Sequence, residues 1–159
     1  MGLALLGVGR RAWAQLAGPI AVRYAPLTRP VRIPVDAVSA SWRPVPFVAE
    51  GMSQARRVLI SGVLFRNVAG LSAVCVTCPH EQCQVDLVTD QERLDRMIGR
   101  RATHPLFECG CHFSVFDAAE EGSRISGESP RGLYRFRIAG VHDGMVEIAE
   151  IEQVALSEV

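Results

Sequence analysis

The sequence predicts a small all-β domain, an antiparallel sandwich or barrel with one short inserted helix. Short apolar runs rich in β-branched residues recur along the 159-residue chain, and turn residues such as Glu50-Gly51 and the stretch 67–70 separate them. Several short strands of this kind typically pack as a sandwich or barrel. A hydrophobic content of 48% with a formal net charge of zero is enough for a core, and it gives no indication of a nucleic-acid partner.

The predicted strands follow one another from residue 31 onward. Before them, the stretch 24–34 contains three prolines and is predicted to be an extended linker rather than a helix. Strands are predicted over residues 31–35, 45–48, 57–65 and 71–76. A closing hairpin is predicted where the alternating residues 133–138 are joined to residues 145–148 through the turn Asp143-Gly144.

One helix is predicted within residues 90–101. Leu94, Met97 and Ile98 fall at positions i, i+3 and i+4, with Asp90 as the N-cap and Gly99 as the end. The arginines of this segment form either a solvated charged face or a docking face, and they stand at positions 93, 96, 100 and 101.

Two short segments carry most of the cysteines and histidines. Residues 78–83 read Cys-Pro-His-Glu-Gln-Cys, and residues 109–112 read Cys-Gly-Cys-His. Each segment therefore offers one cysteine and one histidine at short spacing, together with a further cysteine. Two thiolates and two imidazoles can be divided between two irons, so that one iron of a 2Fe-2S cluster binds both thiolates and the other binds both histidines.

Two other kinds of site use some of the same residues. A tetrahedral Cys3His zinc site could be built from Cys75, Cys78, Cys109 and His112. It would leave the other histidine and the two other cysteines of these segments without a role. A thioredoxin-like pair of Cys75 and Cys78 is disfavoured because no helical pattern follows it. Cys75 lies in an apolar run and is predicted to be a small buried core residue.

Together, residues 78–83 and 109–114 resemble the paired loops of Rieske proteins of the quinol-oxidising cytochrome bc type. Residues 127–130, Gly-Glu-Ser-Pro, resemble the third loop that covers the cluster in that family, and the whole resemblance covers residues 30–150. It implies a Rieske-type fold in which the ligands of one 2Fe-2S cluster are Cys78, His80, Cys109 and His112. It also implies a disulfide between Cys83 and Cys111.

The function that this resemblance implies is one-electron transfer. The protein is expected to be the iron-sulfur subunit of a quinol-cytochrome c oxidoreductase, which is not catalytic alone. It would take an electron and a proton from quinol at His80 and His112 and pass the electron to a c-type cytochrome. The expected partners are cytochrome b-type and cytochrome c-type subunits, at the periplasmic or outer face of a bacterial cytoplasmic membrane. A histidine on ferric iron loses its second proton more easily than free imidazole, which couples the two transfers.

A soluble Rieske module is the second class of function. It could be the electron-transfer subunit of a periplasmic oxidase similar to arsenite oxidase, or a ferredoxin-type module. Ferredoxin and oxygenase types generally lack the disulfide pair, so Cys83 and Cys111 argue against them. Some arsenite-oxidase-like small subunits keep the disulfide, so the cysteines do not separate that type from the quinol-oxidising type.

Five positions depart from the resemblance, the first of them Glu128, where the family usually has a proline. Glu81 and Gln82 stand where the family usually has a leucine and then a glycine, and Phe113 stands where it has a glycine. Ser114 keeps a hydroxyl that bonds a bridging sulfide in the family, whereas Phe116 replaces a tyrosine whose hydroxyl bonds a ligand-cysteine sulfur. Hydrogen bonds to sulfur stabilise the reduced cluster, so the missing hydroxyl predicts a lower potential, which suits a quinol such as menaquinol.

The chain is predicted to divide into residues 1–30 as an export, anchor or hinge segment, residues 31–152 as the domain, and residues 153–159 as a tail. Arg10-Arg11 before an apolar run is a weak match to a twin-arginine export signal. Neither apolar run of this segment reaches the ~20 residues of a spanning helix. The proposed disulfide indicates an oxidising compartment. His104, which precedes a proline, is expected to be structural.

Overall fold

Antiparallel strands make up most of the described chain, which is residues 21–158 of a computed structural model. The strands are β1 (Tyr24–Pro34), β2 (Val45–Ser53), β3 (Arg56–Arg66), β4 (Leu71–Cys75), β5 (Val85–Val88), β6 (Leu106–Cys109), β7 (Val115–Asp117), β8 (Ser123–Ser126), β9 (Phe136–His142) and β10 (Met145–Glu152). The helices are α1 (Gln91–Ile98), α2 (Ala155–Glu158) and a 3-10 helix (Val35–Val38). The predicted all-β class with one short inserted helix is confirmed.

The strands form three sheets, ordered β1-β10-β9, β2-β3-β4 and β5-β6-β7-β8. All pairs of neighbouring strands in them are antiparallel. We call the first two sheets the base, because they share one core that contains Ile60, Tyr134 and Ile151. We call the third the loop sheet, and a second core around Phe107 and Phe116 lies against it. The two cysteine segments belong to this second core.

The first strand begins earlier than the sequence predicted. β1 starts at Tyr24, which pairs with Glu152, and its register shifts between Pro26 and Val31. Prolines are tolerated here because β1 is an edge strand, where a missing N–H need not break a ladder, and because irregularities accommodate them. The linker predicted over residues 24–34 is therefore a paired strand. Residues 1–20, with the predicted export or anchor segment, lie outside the described residues.

Helix α1 matches the prediction at both ends. The Asp90 side chain accepts a hydrogen bond from Arg93 N, and Gly99 ends the helix in the left-handed conformation, with φ of 67°. Leu94 is buried in a small core with Leu106 and with other apolar residues of the loop sheet. The helix is thus docked on the face of the loop sheet opposite the core of the cysteine segments.

The predicted closing hairpin is also present. Asp143 and Gly144 have φ of 50° and 72°, as a two-residue turn with positive φ at both positions requires, and the turn joins β9 to β10. β9 begins at Phe136, a few residues after the predicted start, because Leu133 and Tyr134 form their backbone hydrogen bonds with Gly122 and Cys75 instead. Within residues 21–158 no helix is long and apolar enough to cross a membrane.

Candidate metal centre

Two loops carry the candidate ligands. The first loop, residues 76–84, joins β4 to β5, and the second loop, residues 110–114, joins β6 to β7. Cys109 is the last residue of β6, so a regular strand holds it, whereas Cys78 lies inside the first loop. The sheet register places Cys109 opposite Val85, the first residue of β5, and this pairing brings the two loops to the same end of the loop sheet.

The two loops have the same backbone hydrogen bonds. In the first, Cys78 N donates to Cys83 O at 2.8 Å and Gln82 N donates to Cys78 O at 3.0 Å. In the second, Cys109 N donates to Ser114 O at 2.9 Å and Phe113 N donates to Cys109 O at 2.9 Å. Each loop therefore wraps around its cysteine, which fixes the direction of the thiol.

A left-handed residue completes each wrap. Gln82 has φ of 59° and Phe113 has φ of 53°. These are the positions where the resembling family has glycine, and glycine adopts this conformation without steric cost. A side chain in this region costs about 1–2 kcal/mol. Both loops therefore keep the left-handed conformation at these positions without glycine, the residue that most favours it.

The disulfide that the resemblance implied is confirmed. Cys83 and Cys111 form a bridge with an S–S distance of 2.07 Å, across a sequence separation of 28 residues. It links the first loop directly to the second, so the two cannot separate while it is intact. A cross-link of this span stabilises a fold by roughly 3.5 kcal/mol in the chain-entropy model.

The cysteine sulfurs are close enough to hold a metal ion. Those of Cys83, Cys109 and Cys111 lie within 4.8 Å of one another. Two of the three are joined in the bridge, so this group supplies a single free thiol, that of Cys109. The second free thiol beside it is Cys78, which is also buried. Burial raises the pKa of the Cys78 thiol, and the neighbouring Cys109 thiol raises it further. A cation bound here would release protons from both thiols.

The two histidines complete the donor set. The rings of His80 and His112 lie 4.8 Å apart, edge to face at 72°. Nδ1 of His80 is buried and has no hydrogen-bond partner among the described residues. A buried nitrogen without a partner loses its hydration and gains nothing in return, which costs about 1–3 kcal/mol. A metal ion at this nitrogen would supply the missing partner, so the donor set fits a bound metal.

The outer histidine faces a carboxylate. The side chain of His112 is 41% exposed, and its Nε2 lies 3.9 Å from Oε2 of Glu81. Glu81 is itself an exposed residue of the first loop. A charged group therefore stands beside the more exposed of the two candidate imidazoles, at the position where the family that the chain resembles has leucine.

Ser114 and Phe116 lie behind the loops. Ser114 is fully buried, and its Oγ accepts a hydrogen bond from Ser129 N at 3.0 Å. Because that oxygen acts as an acceptor there, its own hydrogen is free to be donated elsewhere. Phe116 is also fully buried and packs in the core that contains Cys78 and Cys109. Its ring has no polar atom, so it offers no donor to sulfur.

Residues 127–132, the third loop, are pressed against the second loop. A Cβ added at Gly127 would lie 2.4 Å from Ser114 Cα, so only glycine fits there. Ser129, to which the sequence analysis assigned no role, is buried, and its Oγ donates a hydrogen bond to Arg131 O at 2.8 Å. Its hydroxyl lies near the Cys78 thiol and partly opposes the effect of burial, which raises the pKa of that thiol. The sequence signal that could have identified Ser129 is its position before Pro130, inside the segment that resembles the third loop.

Cys75 does not join the candidate ligands. It is fully buried in the core of the base, with Tyr134 and Ile60, whereas Cys78 lies in the core of the loop sheet. Burial raises the pKa of the Cys75 thiol. A zinc site that includes Cys75 is therefore disfavoured, and the prediction of a buried core cysteine is confirmed.

His104 is held by structural contacts. Its Nε2 lies 2.8 Å from Asp117 Oδ1, and its ring stacks on Trp42 with centroids 5.9 Å apart. Asp117 is paired with Leu106 in the register, at the opposite end of β6 from Cys109. These contacts agree with the structural role expected for His104.

Compared with protein-family models and with curated proteins, the chain matches none.

Proposed function

We propose that this protein binds one Rieske-type 2Fe-2S cluster and works as a one-electron carrier. The observation that carries the proposal is the unpartnered, buried Nδ1 of His80, which lies beside a second imidazole in a site that also holds two free buried thiols. Cys78 and Cys109 would hold one iron, and His80 and His112 would hold the other. Mixed sulfur and nitrogen donors of this kind are the ligand set of a Rieske cluster.

The cluster, when bound, would supply reversible one-electron transfer at a potential set by its ligands and by hydrogen bonds to its sulfurs. The chain's own residues do the rest. Cys78 and Cys109 are buried, which keeps water from their thiols, and the fully buried Ser114 has a hydroxyl hydrogen to donate. The His112 side chain is 41% exposed, so its imidazole stands at the surface, where a donor molecule would meet the protein.

The electron donor that we propose is a quinol, and the acceptor is a c-type cytochrome. A quinol hydroxyl could donate a hydrogen bond to His112, and a bound cluster would supply the acceptor for one of its electrons. The protein would then be the iron-sulfur subunit of a cytochrome bc-type complex, with cytochrome b-type and c-type subunits as partners at the outer face of a membrane. The Cys83–Cys111 bridge supports an oxidising compartment.

One observation favours a second candidate, the soluble electron-transfer subunit of a periplasmic oxidase. The Glu81 carboxylate lies 3.9 Å from His112 Nε2, at a position where an apolar residue would better suit an apolar quinol. A charged group beside the exposed histidine is suited to a polar protein partner. The two candidates share the same cluster and differ in the molecule that meets His112.

The first experiment tests the cluster. Protein matured with iron and sulfide is expected to be red-brown and to contain iron and acid-labile sulfide in equal amounts. Cys78→Ser should remove both, whereas Cys75→Ser, the matched control in the other core, should leave them in place. A colourless protein that retains one zinc ion per chain would overturn the proposal.

The second experiment separates the two candidates. The tagged full-length chain would be purified from detergent-solubilised membranes and from the soluble fraction of the same cells, and haem spectra would be recorded. If the chain is a bc-type subunit, b-type and c-type haem are expected to co-purify with it from the membrane fraction. Recovery from the soluble fraction with a partner that contains no b-type haem would favour the oxidase subunit.

A further inference from the structure

Strand β6 separates two environments. Phe107 and Cys109 point into the core that also holds Cys78, while Leu106 belongs to the small core beneath helix α1. Glu108 alternates with these neighbours, so its side chain leaves the strand on the same face as Leu106, toward α1. The residue immediately before a candidate iron ligand thus carries a carboxylate on the back of the loop sheet.

That carboxylate is buried and, among residues 21–158, pairs with one cation. The Glu108 side chain is 10% exposed and forms an ion pair with Arg93 of helix α1. The sheet register also places Glu108 opposite Asp86, a second carboxylate. Like charges at directly opposite positions repel each other. A buried carboxylate left without its partner is strongly destabilising. Arg93 therefore compensates a charge that the strand could not hold alone.

Helix α1 holds Arg93 at a fixed place. Leu94, the next residue, is buried against the loop sheet. Asp95 accepts a hydrogen bond from Ala102 N at 2.8 Å, which closes the segment after the helix onto its side. Gln91 donates to Ala102 O at 3.0 Å and adds a second tie. The helix and its following segment thus act as a rigid support.

We propose that Arg93 is a positioning residue for Cys109. Through its ion pair with Glu108, the inserted helix fixes the end of β6 that carries this ligand, and it neutralises a negative charge directly behind the iron site. The inference rests on the proposed cluster. It gives the inserted helix a role in tuning the centre, through the one of its two arginines that pairs with the loop sheet.

The charges make this role separable from simple support of the fold. Removing the positive charge of Arg93 leaves Glu108 uncompensated, which disfavours adding an electron nearby and lowers the reduction potential. Removing the negative charge of Glu108 leaves Arg93 in excess, which raises the potential. Both changes weaken the contact between helix and strand, yet they move the potential in opposite directions.

The test uses the cluster-loaded full chain and redox titration followed by EPR. Arg93→Met is expected to lower the midpoint potential and Glu108→Gln to raise it, while the double variant should return close to the wild-type value. Arg93→Lys should restore most of the potential that Arg93→Met loses. Both single variants are expected to lose their cluster several-fold faster than the wild type in the presence of a chelator.

Arg96→Met is the matched control, because Arg96 lies on the same helix and pairs with the exposed Glu92. It should change neither the potential nor the rate of cluster loss. In one outcome, the wild type loads a cluster while the two single variants shift the midpoint potential in the same direction, or leave it unchanged. That result would overturn this inference and leave the proposed function standing. A wild type that assembles no cluster would overturn the proposed function and this inference with it.

Discussion

The first and second loops share their backbone and differ in what surrounds their histidines. Both wrap around a cysteine with equivalent hydrogen bonds, and both have a left-handed residue four positions after it. His80 comes two residues after its cysteine and has a buried Nδ1, whereas His112 comes three residues after and belongs to an exposed stretch. One backbone motif thus presents an inner imidazole and an outer one, and proton exchange is expected at the outer one.

The largest effect is expected from separating the loops. Cys83→Ser removes the bridge that holds them together, and loss of a native disulfide typically costs about 2–5 kcal/mol. We expect the free energy of unfolding in urea to fall by that amount and the iron content to fall with it. Cys75→Ser, which leaves the bridge intact, should keep its iron content. Equal iron retention in Cys83→Ser and the wild type would mean that the loops stay together without the bridge.

The third loop packs closely against the second loop through Gly127. Gly127→Ala places a methyl group 2.4 Å from Ser114 Cα at φ of 93°. Overpacking costs about 1–3 kcal/mol, and the left-handed conformation adds about 1–2 kcal/mol. We expect a loss of roughly 3 kcal/mol, measured by urea unfolding, and faster cluster loss.

Gly99→Ala is the matched control for that variant. Gly99 also has positive φ, but a Cβ there meets nothing within 4 Å. It should lose only the conformational part, about 1–2 kcal/mol. If the two alanine variants lost the same free energy of unfolding, the close contact between Gly127 and Ser114 would contribute nothing to the cost of Gly127→Ala.

Relieving the left-handed residues tests whether the two loops are equally strained. Gln82→Gly and Phe113→Gly each remove a side chain from positive φ, and both residues are exposed, so little packing is lost. Each is expected to raise the free energy of unfolding by about 1 kcal/mol. A gain in only one loop would show that the equivalence of their hydrogen bonds does not extend to their energies.

Changes to the residues behind the second loop are expected to have the smallest effect. Phe116→Tyr adds a donor toward sulfur and should raise the midpoint potential, while Ser114→Ala removes one and should lower it. A differential stabilisation of about 1 kcal/mol corresponds to roughly 40 mV for one electron. If a structure of Phe116→Tyr placed the new hydroxyl at bonding distance from sulfur and the potential stayed unchanged, hydrogen bonding would not set the potential here.

The sequence was sufficient to predict the elements that depend on neighbouring residues alone, such as helix caps and tight turns. The capped helix at Asp90, the turn at Asp143-Gly144 and the all-β class were predicted and are confirmed. The disulfide from Cys83 to Cys111 was implied by resemblance and is confirmed. The ligand roles of the two histidines remain predictions.

Long-range pairing determines what the sequence did not reveal. Short length hides other strands: β5, β7 and β8 have three or four residues each, too few to show an alternating pattern, although β7 pairs with its chain neighbours β6 and β8. The prolines of β1 suggested a linker because sequence does not reveal which strand lies at an edge. The pairing of Arg93 with Glu108 depends on how α1 docks, and no spacing rule encodes that.

The central claim is that His80 and His112 both bind iron, one inner and one outer. Pulsed EPR of the reduced, loaded protein measures it most directly, because nitrogen nuclei bound to iron produce strong couplings. Two such couplings are expected, and both should change when histidine is labelled with ¹⁵N. A reduced cluster whose spectrum shows no coupling to histidine nitrogen would contradict the account.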